Sequence, residues 1–250
     1  MIIDAHCHAG SGDGLRDPWD TVAPLGVYLK RARAAAITRT ALIPVFHSDY
    51  RVVNRQVGEL VARNRGRFLP VAAIHAGRDR GRVRAMLESM APGVRARAVK
   101  VHRHDARISR EICEAARARR LPIIYDVMGE VSPLEMVARE YPSVAFIVPH
   151  LGSFGDDWRA HARLIDVMSR LPNVFADTSG VRRFDYLVEA VQRVGPGRLV
   201  FGSDGPWLHP GLELAKVRLL KLPAADLNGI LGGNFARLIG EVSGVNVGNR

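Results

Sequence analysis

The chain predicts an α/β fold, a (β/α)8 TIM barrel, on three observations. It has 250 residues, the usual length of such a barrel; short apolar runs alternate with amphipathic stretches from end to end; and no linker or shift of composition divides it. The apolar, β-branched runs lie near residues 2–6, 38–46, 67–75, 96–102, 121–126, 144–150, 173–178 and 198–204. Between them, segments such as PLGVYLKRARAAAI, YRVVNRQVGELVARN, SREICEAARAR, RAHARLIDVMSR and FDYLVEAVQRV are long enough for crossover helices. Strands that read as continuous apolar runs are buried on both faces, which implies a parallel sheet. An open, doubly wound sheet is the alternative the pattern allows, and eight repeated units favour closure. A single domain over residues 1–250 is expected, with SGVNVGNR after residue 241 as a loose extension.

Composition narrows the class further. With 47% hydrophobic and 24% charged residues, the chain can bury a large core, which excludes a disordered protein. Two cysteines, Cys7 and Cys113, form no CxxC pair, so neither a disulfide framework nor a cysteine-rich zinc site is expected. The opening MIIDAHCHAG lacks the basic and apolar regions of a signal peptide, and no run of about 18 apolar residues occurs, so a cytoplasmic protein without a membrane partner is expected. The formal net charge of +11 raises the question of nucleic acid. Arginine is spread over most of the helical segments, as in KRARAAA, RDRGRVR and EAARARR, with few aromatic residues beside it. Solvated helix faces and a preference for small anionic substrates account for that distribution better than a nucleic-acid partner does. An assembly of identical subunits is compatible with the sequence.

The chemistry-bearing residues are polarised. His6 and His8, His47, His75, His102, Asp126, His150, Asp177 and Asp204 all fall at or just beyond the C-terminal ends of the predicted strands. In a barrel those ends and the loops after them form the active-site face. In DAHCH, strict alternation would put Asp4, His6 and His8 on one face and Ala5 and Cys7 on the other, so that two imidazoles reach one metal ion. In VFGSDGPW, Asp204 would end the eighth strand beside the first, where a carboxylate can ligate a metal and take a proton; the competing reading is a turn former before Gly205 and Pro206. Asp177 could orient a neighbouring histidine, whereas His47 and His75 either line the pocket or, as lone histidines more often are, are structural or solvated. The glycines of HAGSGDG read as a loop over the mouth and match no nucleotide-binding fingerprint. No serine or cysteine nucleophile context is present.

IIDAHCH, AVKVH, VAFIVPHLGS, RLVFGSDGPW and the closing ILGGNFARLIG, in this order and spacing, resemble the amidohydrolase superfamily, within it the branch of aminocarboxymuconate semialdehyde decarboxylase-like enzymes. The resemblance implies that His6 and His8 are metal ligands, that Asp204 is ligand and proton acceptor, and that His150 is an acid/base or substrate-polarising group. It also exposes a departure: the family's usual strand-five histidine ligand is replaced in LPIIYDVMG by Asp126, which either ligates the metal or forms a salt bridge. Lys100 and His102 share a face; a metal-bridging carbamate on the lysine is one reading, substrate contact the other. The implied cofactor is one divalent ion, zinc first and manganese second. The implied reaction is hydrolysis of an amide, lactone or other ester in a small carboxylated molecule. Non-oxidative decarboxylation on the same site, or a non-catalytic binding barrel, are the alternatives.

Overall fold

The computed structural model describes residues 1–14, 22–64 and 66–241. The expected C-terminal extension lies outside the described residues. Eight parallel strands follow one another around the sheet: β1 (Ile3–Ser11), β2 (Arg39–Pro44), β3 (Phe68–Ala73), β4 (Ala98–His102), β5 (Ile123–Asp126), β6 (Phe146–Val148), β7 (Val174–Asp177) and β8 (Leu199–Val200). All eight predicted strands are present. Their sequential order rules out the doubly wound alternative, in which the strand order reverses at a switch point.

The sheet closes on itself through its backbone. Ala5 donates to the Phe201 carbonyl at 2.9 Å, Asp204 donates to the His6 carbonyl at 2.7 Å, and His8 donates to the Gly205 carbonyl at 2.6 Å. The chain beyond β8 therefore continues the sheet to β1 as an irregular strand. Beyond His8, β1 runs on to Ser11 and pairs antiparallel with the short segment Val22–Ala23. This corrects the expectation of a loop at HAGSGDG: its first residues complete an extended strand.

Side chains divide into two apolar layers. Ile3, Ala5, Ile43, Val71, Ile124 and Phe175 belong to a cluster that fills the barrel interior, and Phe235 with Ile239 joins it from the last helix. Cys7, Leu42, Val99, Tyr125 and Phe146 belong to the larger layer between strands and helices. Each large apolar side chain taken out of water stabilises the fold by about 1.5–3 kcal/mol. Three crossover helices begin on side-chain caps: Asp49 accepts from Arg51 before the helix Tyr50–Arg63, Ser109 from Ile112 before Arg110–Arg119, and Asp157 from Ala160 before Trp158–Arg170.

The predicted alternation fails at one place. The register between β1 and β2 shifts between Asp4 and Cys7. Ile3 and Ala5 both face the interior, while Asp4 turns outward to the Tyr28 hydroxyl of α1 (Leu25–Ala34). Asp4 therefore does not share a face with His6 and His8, because a bulge supplies the extra residue that strict alternation does not allow.

The helix Pro210–Arg218 went unpredicted because its apolar residues do not make one stripe: Leu214 and Val217 are buried, whereas Leu212 is exposed. Among the described residues no helix is long and apolar enough to cross a membrane.

At the opposite end of the barrel from the predicted site, Glu241 accepts from Arg39 at 2.9 Å and from Arg97 at 2.8 Å. The hydrogen bonds from Arg39 hold its carboxyl at about 2, below its usual 4.5. A depressed folded-state pKa means that this stabilisation is complete above pH 4.5 and is lost as pH falls toward 2. Glu241→Gln is expected to cost about 1 kcal/mol at pH 7 after screening, and thermal melts should show the gap to wild type closing near pH 2.

Candidate metal centre

His6 and His8 leave the bulge in β1 with their Nε2 atoms 3.1 Å apart. Asp204, just past β8, brings Oδ1 to 3.7 Å from His6 Nε2 and 3.5 Å from His8 Nε2. First and last strand thus converge as the barrel order requires. Donors that share one ion at bonds of about 2.0–2.2 Å stand roughly 3.0–3.6 Å apart, close to the spacing found here.

Both imidazoles are arranged to offer lone pairs. His6 Nδ1 donates to Asp177 Oδ2 at 2.7 Å and His8 Nδ1 to the Pro44 carbonyl at 3.3 Å, which leaves each Nε2 as an acceptor facing the other. Burial holds His6 down at about 4 from its usual 6.5, and burial lowers His8 well below its usual value as well. Two neutral nitrogens with opposed lone pairs, beside a carboxylate, form a site that a cation completes. His6, His8 and Asp204 are one of the donor groups among the described residues whose ligand atoms all lie within 4.8 Å of one another.

A second such group, His6, His150 and Asp177, is accounted for by hydrogen bonds. Asp177, at the end of β7, spends Oδ2 on His6 and accepts on Oδ1 from the amides of His150 and Ser179, each at 3.0 Å. It orients the His6 ring from behind, in the place that the carboxylate of a carboxylate–histidine–metal relay takes. Burial alone would raise its pKa, but His6 and His150 together hold it below the usual carboxylate range.

Packing of this pair requires a glycine. A Cβ on Gly202 would stand 2.9 Å from His6 Cβ and 3.2 Å from Asp177 Cγ. Gly202→Ala is expected to push these two side chains apart and weaken zinc binding by about tenfold or more, the usual cost of disturbing an outer-shell partner, as read by chelator competition.

His150 follows β6 with left-handed backbone, φ +58°, as do Leu151 at φ +50° and Asp204 at φ +53°. Outside glycine such conformations cost about 1–3 kcal/mol each and persist where surrounding structure enforces them. His150 Nδ1 donates to the Ser179 carbonyl at 3.0 Å, which leaves Nε2 facing Asp126 Oδ2 at 3.6 Å. Burial opposes protonation of His150, yet Asp204, Asp126 and Asp177 around it raise its pKa above the ordinary value.

Asp126, at the end of β5, faces His102 Nε2 at 3.2 Å as well as His150. It is absent from the donor group formed by His6, His8 and Asp204. Burial would raise its carboxyl, but His102, Lys100 and His150 hold it well below the usual range. Lys100 Nζ reaches to 3.5 Å from His6 Nε2, and a pocket beside it is lined by His8, Phe46, Lys100, His102 and Asp105.

His47 and His75 sit apart from this cluster and cap their own turns: His47 Nδ1 accepts from the Asp49 amide and His75 Nδ1 from the Gly77 and Arg78 amides. Sequence reasoning did not single out Ser179, which donates to Asp177 Oδ1 at 2.7 Å, or Trp207, whose ring centroid lies 4.6 Å from that of His8. The first follows Asp177 by two residues and the second Asp204 by three, so proximity to a predicted site residue was the only signal either carried.

A model of the amidohydrolase family matches residues 3–240, and the chain belongs to that family. Its fold is that of solved amidohydrolase structures. One is an amidohydrolase from Burkholderia multivorans with bound zinc, 19% identical, aligned over 96% of this chain and 99% of that one with a TM-score of 0.74. A 5-carboxyvanillate decarboxylase from Sphingomonas paucimobilis is 14% identical over 96% of this chain and 98% of its own, also with a TM-score of 0.74. A protein from Pseudomonas putida described as a putative 2-pyrone-4,6-dicarboxylic acid hydrolase is 18% identical over 96% of this chain and 98% of its own, with a TM-score of 0.72. No curated protein sequence matches the chain.

Proposed function

We propose that this protein is a metal-dependent hydrolase that cleaves an amide, lactone or other ester bond in a small carboxylated substrate. The observation that carries the reading is the convergence of His6 Nε2, His8 Nε2 and Asp204 Oδ1 into one group of donors with ligand spacing. The donor set of two imidazoles and a carboxylate suits zinc first and manganese second. A divalent ion held there supplies a Lewis acid and makes water nucleophilic near neutral pH.

The chain's own residues do the rest. Asp204 takes the proton released as water attacks the carbonyl carbon. His150, whose pKa Asp204, Asp126 and Asp177 raise against the effect of burial, presents Nε2 to stabilise the developing oxyanion or protonate the leaving group. Lys100 and His102 line the adjoining pocket and bind the substrate's carboxylate, and Asp126 holds the His102 imidazole in place. In this reading Asp126 acts as a salt-bridge partner, and His6, His8 and Asp204 would hold the ion.

Decarboxylation is the second reading. Solved structures with the same fold include the 5-carboxyvanillate decarboxylase, a 2,6-dihydroxybenzoate decarboxylase from Rhizobium and a dihydroxybenzoic acid decarboxylase from Polaromonas with bound manganese. The test is to load the protein with zinc or manganese and offer it carboxylated lactones, esters and amides alongside aromatic carboxylic acids. Ring or bond opening that needs the ion is expected. Release of CO2 without hydrolysis would overturn the hydrolase reading in favour of the lyase, and stoichiometric metal with neither reaction would favour a binding barrel.

A further inference from the structure

The geometry points to Asp4 as a positioning residue that sets the metal site from outside the barrel, holding together the two chain segments that carry the ligands. The inference rests on His6, His8 and Asp204 forming the cation site.

Asp4 is fully buried, and its two oxygens accept four hydrogen bonds. Oδ1 accepts from the His6 amide at 3.1 Å and from the Ser203 amide at 2.9 Å. Oδ2 accepts from the Tyr28 hydroxyl at 2.7 Å and from the Ser203 hydroxyl at 2.5 Å. Tyr28 in turn contacts Thr40 Oγ1 on β2 at 2.9 Å, and Ser203 Oγ accepts from the Gly205 amide at 3.1 Å.

One oxygen therefore joins the backbone of a ligand in β1 to the residue before a ligand past β8. The other joins the Ser203 side chain, which pins the Gly205 amide on the far side of Asp204. Asp204 is thus bracketed by two anchored residues while it adopts its left-handed conformation. The outward turn of Asp4 and the inward turn of His6 are two sides of the same bulge, so the carboxylate that stabilises the bulge also aims the imidazole. An apolar residue would fill the space behind α1 at lower desolvation cost, but it would take from the His6 amide its Asp4 acceptor and leave the Ser203 amide only its longer bond to the His6 carbonyl at 3.3 Å.

Dissociation constants for zinc, measured by competition with a chromophoric chelator well below the melting temperature, test this. Asp4→Ala is expected to weaken zinc binding by about tenfold to a hundredfold, in the range of outer-shell partners. Asp4→Asn keeps an oxygen for the two amides and should restore most of the affinity. Leu164→Ala, at a buried residue of the helix Trp158–Arg170, controls for stability: it should lower the melting temperature and leave the zinc constant unchanged.

Wild-type affinity in a folded Asp4→Ala, or equal losses in Asp4→Ala and Leu164→Ala, would overturn the inference. Should Asp4→Ala not fold, Ser203→Ala removes one bond to Asp4 and the anchor on Gly205, and wild-type affinity there would overturn it equally. Failure of the wild-type protein to take up one zinc would instead remove the reading of the metal site itself.

Discussion

His8→Ala is expected to yield a folded barrel that no longer retains a stoichiometric divalent ion. His8 contributes one of three converging donors, and its ring otherwise contacts only the Pro44 carbonyl and the Trp207 face among the bonds described above. A tightly held zinc is bound by about 10–16 kcal/mol over its full set of ligands, so one lost donor corresponds to a drop of roughly 10²- to 10³-fold in affinity. Elemental analysis after gel filtration, paired with a thermal melt, separates loss of the ion from loss of the fold. Retention of one ion per chain at wild-type affinity would refute the assignment of His8 as ligand.

Asp177→Ala is expected to damage stability and metal binding together. Its carboxylate accepts from His6 Nδ1, from the His150 and Ser179 amides and from the Ser179 hydroxyl, all in a buried setting. Removing one partner from such a network costs about 3–5 kcal/mol, which in a chain of this size lowers the melting temperature by roughly 10 °C. Zinc affinity should fall about tenfold to a hundredfold because the His6 ring loses its orienting acceptor. The pH dependence provides a separate check. His6 and His150 outweigh burial and depress the Asp177 pKa, so its contribution is complete above the ordinary carboxylate range and is lost as pH falls below it. The stability gap between wild type and Asp177→Asn should therefore be wide at pH 7 and shrink in acid.

Much of the fold was legible because its signals are local. Most strands are short runs of apolar and β-branched residues, and the longer helices such as Tyr50–Arg63, Trp158–Arg170 and Phe184–Val194 carry an apolar stripe, which Pro210–Arg218 does not. The polarity of His6, His8, Asp126, His150, Asp177 and Asp204 along their strands was also readable, since it needs only strand direction. Side-chain aim was less so. Asp4 was placed on the wrong face because a bulge is decided by packing against α1 and β8, not by the alternation within five residues. For Asp126 the sequence left ligation and salt bridging open, and its carboxylate lies against His102 and His150. That preference depends on three strands meeting at the mouth, which no single segment encodes.

The donors of this site stand far apart along the chain, with His6 and His8 in the first strand of the barrel and Asp204 beyond the eighth. During synthesis the two imidazoles leave the ribosome almost two hundred residues before the carboxylate that joins them. If these donors hold the ion proposed above, a nascent chain would offer it only a bidentate grip, and tight capture would wait until the last unit docks. On the proposed ligation, uptake of the ion would therefore require that the circle of strands has been completed.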